Sequence, residues 1–140
     1  MAEDLYPVRL VSHTGGELAG VFVLDEDEPG DDCTLILRSS LGEFTAKEWN
    51  YFAALCRIRE QLEEKGWRPV CYGSSRKVYP SGMCCDMGRG LTAYRMEMGR
   101  QAFQRDQVRV FDSGPDVESA SVDEQEKFRD AWLQSLGGSK

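Results

Sequence analysis

6-YPVRLV-11 and 18-LAGVFVL-24 are two segments rich in β-forming residues, and Gly15 and Gly16 lie between them. Glycine reaches the positive φ angles of a tight hairpin turn at little steric cost. Each segment also has the length of an ordinary strand. We therefore predict that a β-hairpin opens the fold.

A third strand is predicted over residues 33–38, because the run is short, apolar and β-branched and is followed by Ser39-Ser40-Leu41-Gly42. The clearest helix signal begins at Thr45, where Thr45-Ala46-Lys47-Glu48 matches a capping box. Gly66 is the expected stop of this helix. Apolar residues recur between the two signals at helical spacing: Trp49, Phe52, Leu55, Cys56 and Leu62, with Tyr51 and Ile58 beside them. This helix is expected to lie across a sheet.

The second half of the chain repeats the pattern of strands followed by a helix. Residues 67–73 are interpreted as a strand with Pro69 at an edge or bulge, and residues 73–90 mainly as a loop. Strands are predicted within residues 91–98 and 108–111. Ser121-Val122-Asp123-Glu124 is a second capping box, and Phe128, Ala131, Trp132 and Leu136 form the apolar stripe of a final helix.

The predicted order is therefore βββ-α-βββ-α. Because the strands are grouped rather than alternating with helices, this order favours an α+β fold with a largely antiparallel sheet and two helices packed on it. A chain of 140 residues has the size of a single domain, which would span residues 1–140.

The chain carries a formal net charge of −7, with 17 basic and 24 acidic residues. A net negative field disfavours binding to bulk nucleic acid and to anionic membranes. The charge is unevenly distributed, since residues 65–109 hold nine basic and three acidic side chains and so have a net charge of +6. Such a segment favours recognition of a partner by complementary charge, or internal pairing with the acidic parts of the chain.

Five cysteines and a single histidine, His13, limit the metal and redox chemistry open to the chain. No Cys-x-x-Cys is present, and the spacing of a structural zinc site is missing, so no metal or other cofactor is expected. No apolar run near the acidic N-terminus has the length of a signal peptide or a membrane span. We predict reduced thiols and a cytoplasmic location.

Two motif matches fail on their context. Gly88-Arg89-Gly90-Leu91-Thr92-Ala93 matches the dinucleotide pattern G-x-G-x-x-A, but a polar stretch precedes it and a strand is predicted after it, so a glycine-rich turn is the better interpretation. The acidic segment 25–32 begins like a calcium-binding EF-hand loop. It has Pro29 at the fifth position and Ile36 at the twelfth, where that loop needs oxygen ligands.

Two sets of candidate site residues remain, and no catalytic residue is assigned. The first set would bind a protein partner: the acidic segment supplies Asp25, Glu26, Asp27, Glu28, Asp31 and Asp32 for a basic partner, and a second surface supplies Arg76, Tyr79 and Arg89. The alternative set would hold an anionic ligand or supply a reactive thiol in a small enzyme or ligand-binding protein: Arg76, Lys77, Cys84, Cys85 and Arg89.

Several segments carry a resemblance: 41-LGEFTAKEWN-50, 66-GWRPVCYG-73, 78-VYPSGM-83 and the spaced residues Phe128, Ala131, Trp132, Leu133, Ser135 and Leu136. Through them the chain resembles small uncharacterised bacterial proteins over about two-thirds of its length. In size and charge it is also similar to cytoplasmic immunity proteins of toxin systems. The resemblance implies a non-enzymatic domain that blocks a partner toxin, and it transfers no functional residue.

Overall fold

A computed structural model describes residues 3–25, 32–86 and 88–137. Strands β1 (Glu3–Ser12) and β2 (Glu17–Asp25) form the predicted hairpin, with Gly15 at a φ of 100° in its turn. Strands β3 (Cys33–Ser39) and β4 (Gly42–Glu48) follow as a second hairpin. Together with β5 (Trp67–Val70) they form an antiparallel sheet in the order β4-β3-β2-β1-β5. The predictions of an α+β fold and of a largely antiparallel sheet are confirmed.

The prediction that the first helix begins at Thr45 is wrong. Residues 42–48 pair with β3, and their side chains alternate between buried Phe44 and Ala46 and exposed Thr45 and Lys47. The long-range pairing with β3 and the burial of one face outweigh the local capping-box signal. Helix α1 (Tyr51–Glu64) begins two residues after Trp49. Its N-cap is Asn50, whose Oδ1 accepts a hydrogen bond from the Ala53 amide at 2.8 Å.

Helix α1 packs against β3, β4 and β5, as expected for a helix lying across a sheet. It ends just before Gly66, the predicted stop. Strand β5 lies at the edge of the sheet, where Pro69 removes no ladder hydrogen bond that a neighbouring strand needs. The buried face of α1 includes the rest of the predicted apolar stripe and two residues outside it, Ala54 and Arg59, whereas Trp49 lies outside the helix and is exposed.

Residues 73–90 contain more regular structure than predicted. They include part of a 3₁₀ turn (Tyr72–Ser74), strand β6 (Val78–Tyr79) and the short helix α2 (Gly82–Asp86). Strand β7 (Thr92–Arg95) pairs with β6 on one side and with β8 (Gln107–Arg109) on the other, which gives a second antiparallel sheet in the order β6-β7-β8. The order βββ-α-βββ-α therefore needs three corrections, because a fourth strand precedes α1, strand β6 is added after α1, and a third helix separates β6 from β7.

A shared core joins the two sheets. The Phe111 ring lies after β8 and contacts two rings of the large sheet, with its centroid 5.5 Å from that of Tyr6 and 5.2 Å from that of Phe22. The sheets are thereby held as one packed unit around α1.

The last helix, α3 (Val122–Ser135), begins at the predicted capping box, where Ser121 and Glu124 bond each other's backbone amides. Its apolar stripe is only partly covered. Phe128 and Trp132 are half-buried, whereas Ala131 and Leu136 are exposed. The C-terminal half of α3 thus presents apolar side chains to solvent. None of the helices within the described residues is long and apolar enough to cross a membrane.

Candidate functional site

Two adjoining surface grooves lie where α3 and α1 meet the segment from β6 to α2. The first, which we call the α3 groove, has a volume of about 840 Å³. The second, the α1 groove, has a volume of about 330 Å³. The two grooves share residues 79–82 and Arg129. The α3 groove is completed by Tyr94, Met96, Gly99, residues 101–104, Trp132, Leu133 and Leu136, and the α1 groove by Trp49, Asn50, Phe52, Ala53, Cys56, Arg57, Cys85 and Glu126.

Exposed apolar side chains concentrate at these grooves. Among the described residues, seven large hydrophobic side chains are exposed, and four of them line one groove or the other: Trp49 (55%), Phe103 (45%), Leu133 (49%) and Leu136 (38%). Two of the others are next to lining residues in the chain, since Met83 follows Gly82 and Met98 precedes Gly99. Leu5 lies on β1, outside both grooves. Single exposed hydrophobic residues are ordinary on a protein surface, but a contiguous group marks an interaction site.

Hydrogen bonds fix the walls of the α3 groove. The Trp132 indole Nε1 donates to the Arg100 carbonyl at 2.9 Å, and the Gly99 amide donates to Ser135 Oγ at 2.8 Å. These bonds hold α3 against the turn that follows β7. The Tyr79 ring lies edge-on to Phe52, with the ring centroids 5.2 Å apart. The groove is therefore largely preformed, which lowers the entropy that a ligand must overcome on binding.

Arg129 stands at the junction of the two grooves. Its guanidinium carbon is 4.6 Å from the centroid of the Tyr79 ring, and its Nε donates to Asp130 Oδ1 at 3.0 Å. Burial raises the pKa of Tyr79, and the nearby Arg129 charge opposes that rise. Arg129 is the one charged residue among those that line the α3 groove within the described chain.

The structure separates the cations that the sequence places in one candidate site. Arg76 and Lys77 both pair with Glu118, at 3.3 and 3.6 Å, and Arg76 also lies over the Phe128 ring. Arg89 lies instead at the start of α1, with its Nη2 3.2 Å from Cys33 Sγ. Tyr79 is the one predicted partner-binding residue that lines the grooves among those the structure describes.

The adjacent thiols of Cys84 and Cys85 differ in environment. Cys84 is buried, and burial raises the pKa of its thiol, but hydrogen bonds with Ser81 and Thr92 outweigh burial, so that the pKa lies below its usual value. Cys85 is half-buried and lines the α1 groove. Arg76 and Lys77, two of the cations predicted beside these thiols, pair with Glu118.

The acidic segment is described only at its ends. The Asp25 carbonyl accepts a hydrogen bond from the Tyr51 hydroxyl at 3.2 Å, and Asp32 is exposed. Cys33 follows Asp32, and its Sγ is 4.0 Å from the carbonyl oxygen of Trp49 in the α1 groove. The predicted contact residues Glu26, Asp27, Glu28 and Asp31 lie outside the described residues.

Internal ion pairs neutralise much of the basic segment 65–109. Besides Arg76 and Lys77, three of its arginines pair with carboxylates: Arg68 with Glu63 at 3.0 Å, Arg95 with Asp116 at 2.8 Å and Arg100 with Asp106 at 3.2 Å. Of these acidic partners, Glu63, Asp116 and Glu118 belong to the flanking acidic parts of the chain. At least five of the nine basic residues in segment 65–109 are thus paired with carboxylates within the fold.

A buried polar network links α1 to α3. It was not predicted from the sequence. The Arg59 guanidinium donates to Gln125 Oε1 at 2.7 Å and to the Ala120 carbonyl at 2.8 Å. Gln125 is fully buried, and its Nε2 lies 2.8–3.0 Å from the carbonyl oxygens of Gly73, Ser75 and Val78. Burial lowers the pKa of Arg59. The sequence did contain one sign of this network: Arg59 lies on the apolar face of α1, one helical turn from Leu55 and from Leu62.

Within the described parts of the chain, no three His, Cys, Asp or Glu side chains come together as metal ligands. No protein-family model and no curated protein matches this chain.

Proposed function

We propose that this protein is a non-enzymatic protein-binding domain that binds its partner through the α3 and α1 grooves. The observation that carries the proposal is the concentration of exposed apolar side chains there, with Trp49, Phe103, Leu133 and Leu136 lining two grooves that adjoin at Arg129. Tyr, Trp and Arg are enriched at the centres of protein interfaces, and Tyr79, Trp132 and Arg129 occupy this position in the grooves.

The energetics favour a protein over a small polar ligand. Complete burial of a Leu or Phe side chain stabilises a complex by about 1.5–3 kcal/mol. Covering the exposed parts of Phe103, Leu133 and Leu136 would thus supply several kcal/mol, before the cost of ordering the two partners. A polar ligand would leave this apolar surface in water.

The domain would act by covering a functional surface of its partner, as an immunity-type inhibitor of a toxin does. Charge supports this form of the proposal, because the acidic segment ends at Asp32, and the next residue, Cys33, contacts the carbonyl of Trp49 in the α1 groove. A basic surface on the partner would be attracted to this side of the groove, which raises the association rate.

Leu133→Glu is expected to abolish partner binding, because it places a charge at the centre of the apolar contact. Leu5→Glu is the matched control, since Leu5 is also an exposed leucine but lies on β1 outside both grooves. Lysate of the source cell would be passed over wild-type, L133E and L5E proteins, and the retained proteins quantified by mass spectrometry. We expect a partner that wild type and L5E retain and that L133E retains at least about tenfold less.

Both positions are exposed, so neither substitution should lower the melting temperature by more than a few degrees. A partner held equally by all three proteins would contradict the proposal, because its binding would not depend on the groove.

The alternative function is that of an enzyme or ligand-binding protein that uses residues 73–90 to hold an anion beside a reactive thiol. One observation favours it, the lowered pKa of Cys84. Two observations weigh against it: Cys84 is buried, and the nearby predicted cations Arg76 and Lys77 are bound to Glu118.

Thiol labelling of the native protein separates the two functions. Of the five cysteines, four are buried and Cys85 is half-buried. The binding-domain proposal therefore predicts one slow adduct with iodoacetamide at pH 7, seen by intact mass and lost in Cys85→Ser. Rapid labelling that persists in Cys85→Ser and is lost in Cys84→Ser would support the reactive-thiol alternative.

A further inference from the structure

We infer that the partner segment that occupies the α3 groove carries a carboxylate beside its apolar side chains, and that this carboxylate binds Arg129. The inference rests on the proposed function and adds the chemistry of the partner. It follows from the charges that line the groove and from the way Arg129 is held.

The α3 groove is cationic in a strongly acidic protein. None of the acidic residues that the structure describes lines this groove, and Arg129 is its charged lining residue. A second cation stands at the rim, where the Arg105 guanidinium lies 4.9 Å from the centroid of the Phe103 ring. A basic segment would meet two like charges here, whereas an acidic one is attracted by both.

The nearby acidic side chains leave this cationic character in place. Asp130, which bonds Arg129 Nε, projects from the next position of α3 and is 67% exposed, so water screens much of its charge. Glu97 at the same end of the groove pairs with Arg100 at 2.9 Å. Glu126 lies one helical turn before Arg129 on α3 and lines the α1 groove, which also contains Arg57, but it is not among the residues that line the α3 groove.

Arg129 is positioned to receive a carboxylate. The Tyr79 ring packs against its guanidinium, whose carbon is 4.6 Å from the ring centroid, and this contact places the guanidinium at the junction of the two grooves. Among the residues that the structure describes, no hydrogen-bond acceptor is found for its two terminal nitrogens. These nitrogens match the two oxygens of a carboxylate, and the apolar walls beside them strengthen such a charge-assisted bond.

A random dodecapeptide library displayed on phage provides the probe. Selection on the full-length wild-type protein is expected to enrich peptides in which Asp or Glu stands within a few residues of aromatic or aliphatic side chains. The best peptide would then be synthesised with a fluorescent label, both as selected and with its acidic residue replaced by the amide. Dissociation constants for the two forms would be measured by fluorescence anisotropy on wild type, Arg129→Gln, Arg38→Gln and Leu133→Glu.

We expect the acidic peptide to bind Arg129→Gln about tenfold more weakly than wild type, and the amide peptide to bind both proteins equally weakly. Arg38→Gln is the matched control, because it removes the same charge from β3, at a position outside both grooves, and should leave binding unchanged. Leu133→Glu should bind neither peptide.

The results separate this inference from the proposed function. Binding that is lost in Leu133→Glu but is equal for the acidic and amide peptides on wild type and Arg129→Gln would overturn the inference and leave the groove as the binding site. Enrichment of peptides without acidic residues would do the same. Binding that survives Leu133→Glu, or selection that enriches no peptide, would overturn both.

Discussion

Gln125→Ala is expected to lower the free energy of unfolding by about 3 kcal/mol, because it leaves several buried polar groups without partners. The Gln125 amide is fully buried, and its two N–H donors are shared among the carbonyls of Gly73, Ser75 and Val78, while its oxygen accepts from Arg59. Removal of this amide would also leave a cavity between α3 and the 3₁₀ turn at Tyr72–Ser74. For a protein of this size the melting temperature should fall by about 12 °C.

Urea denaturation followed by far-ultraviolet circular dichroism measures this loss. Gln134→Ala is the control, since Gln134 lies on the same helix with its side chain exposed and should change the stability by less than about 0.5 kcal/mol. Equal stabilities of the two variants would show that the Arg59–Gln125 network does not hold α3 to α1. Without that network, the position of the α3 groove would also lose its support.

Gly90→Ala is expected to cost a similar amount, about 3 kcal/mol, through backbone strain together with a steric clash at the start of α1. Gly90 has a φ of 75°, and a Cβ there would lie 2.5 Å from Asn50 Oδ1 and 2.7 Å from the Phe52 amide nitrogen. Asn50 is the N-cap of α1, so relief of the clash by its movement would break the cap as well.

Gly82→Ala is the matched control. Gly82 lies in α2, no atom is within 4 Å of the Cβ that alanine would add, and its φ lies outside the left-handed region. We expect this variant to be neutral or slightly stabilised, because alanine favours a helix more than glycine does. A Gly90→Ala protein with the denaturation midpoint of Gly82→Ala would contradict the close packing of residues 88–91 against α1.

The parts of the fold that were predicted correctly depend on local signals that agree with long-range packing. Residues 6–24 contain both strands of the first hairpin and its turn, and Ser121 and Glu124 satisfy each other within one helical turn. At Thr45 the local signal and the long-range packing disagree. The capping-box residues are present, but Leu35 and Ala46 pair across the ladder, and no local pattern reports a partner eleven residues away.

The candidate site was harder to predict because its walls come from distant segments. Tyr79 was chosen as an interface aromatic and does line the grooves, but Phe103 and Leu133 join it only through the tertiary fold. The apolar stripe of α3 was predicted correctly as a pattern. Periodicity alone does not say whether such a stripe faces the core, as Phe128 partly does, or solvent, as Leu136 does.

The charge pattern along the chain indicated ion pairs within the fold rather than the position of the binding site. The net charge of +6 over residues 65–109 suggested a basic surface, yet Arg68, Arg95 and Arg100 pair with carboxylates in the fold. Arg129, which lies outside that segment, is the cation that the grooves share. A local count of charges cannot identify it, because its role follows from its position over the Tyr79 ring.

Isothermal titration of the purified partner into wild type, Leu133→Glu and Leu5→Glu tests the proposed binding grooves most directly. The account predicts a negative heat-capacity change on binding to wild type, because apolar surface is buried. It also predicts a dissociation constant for Leu133→Glu at least about tenfold higher than for wild type, with Leu5→Glu unchanged. A Leu133→Glu protein that binds the partner as tightly as wild type would contradict it.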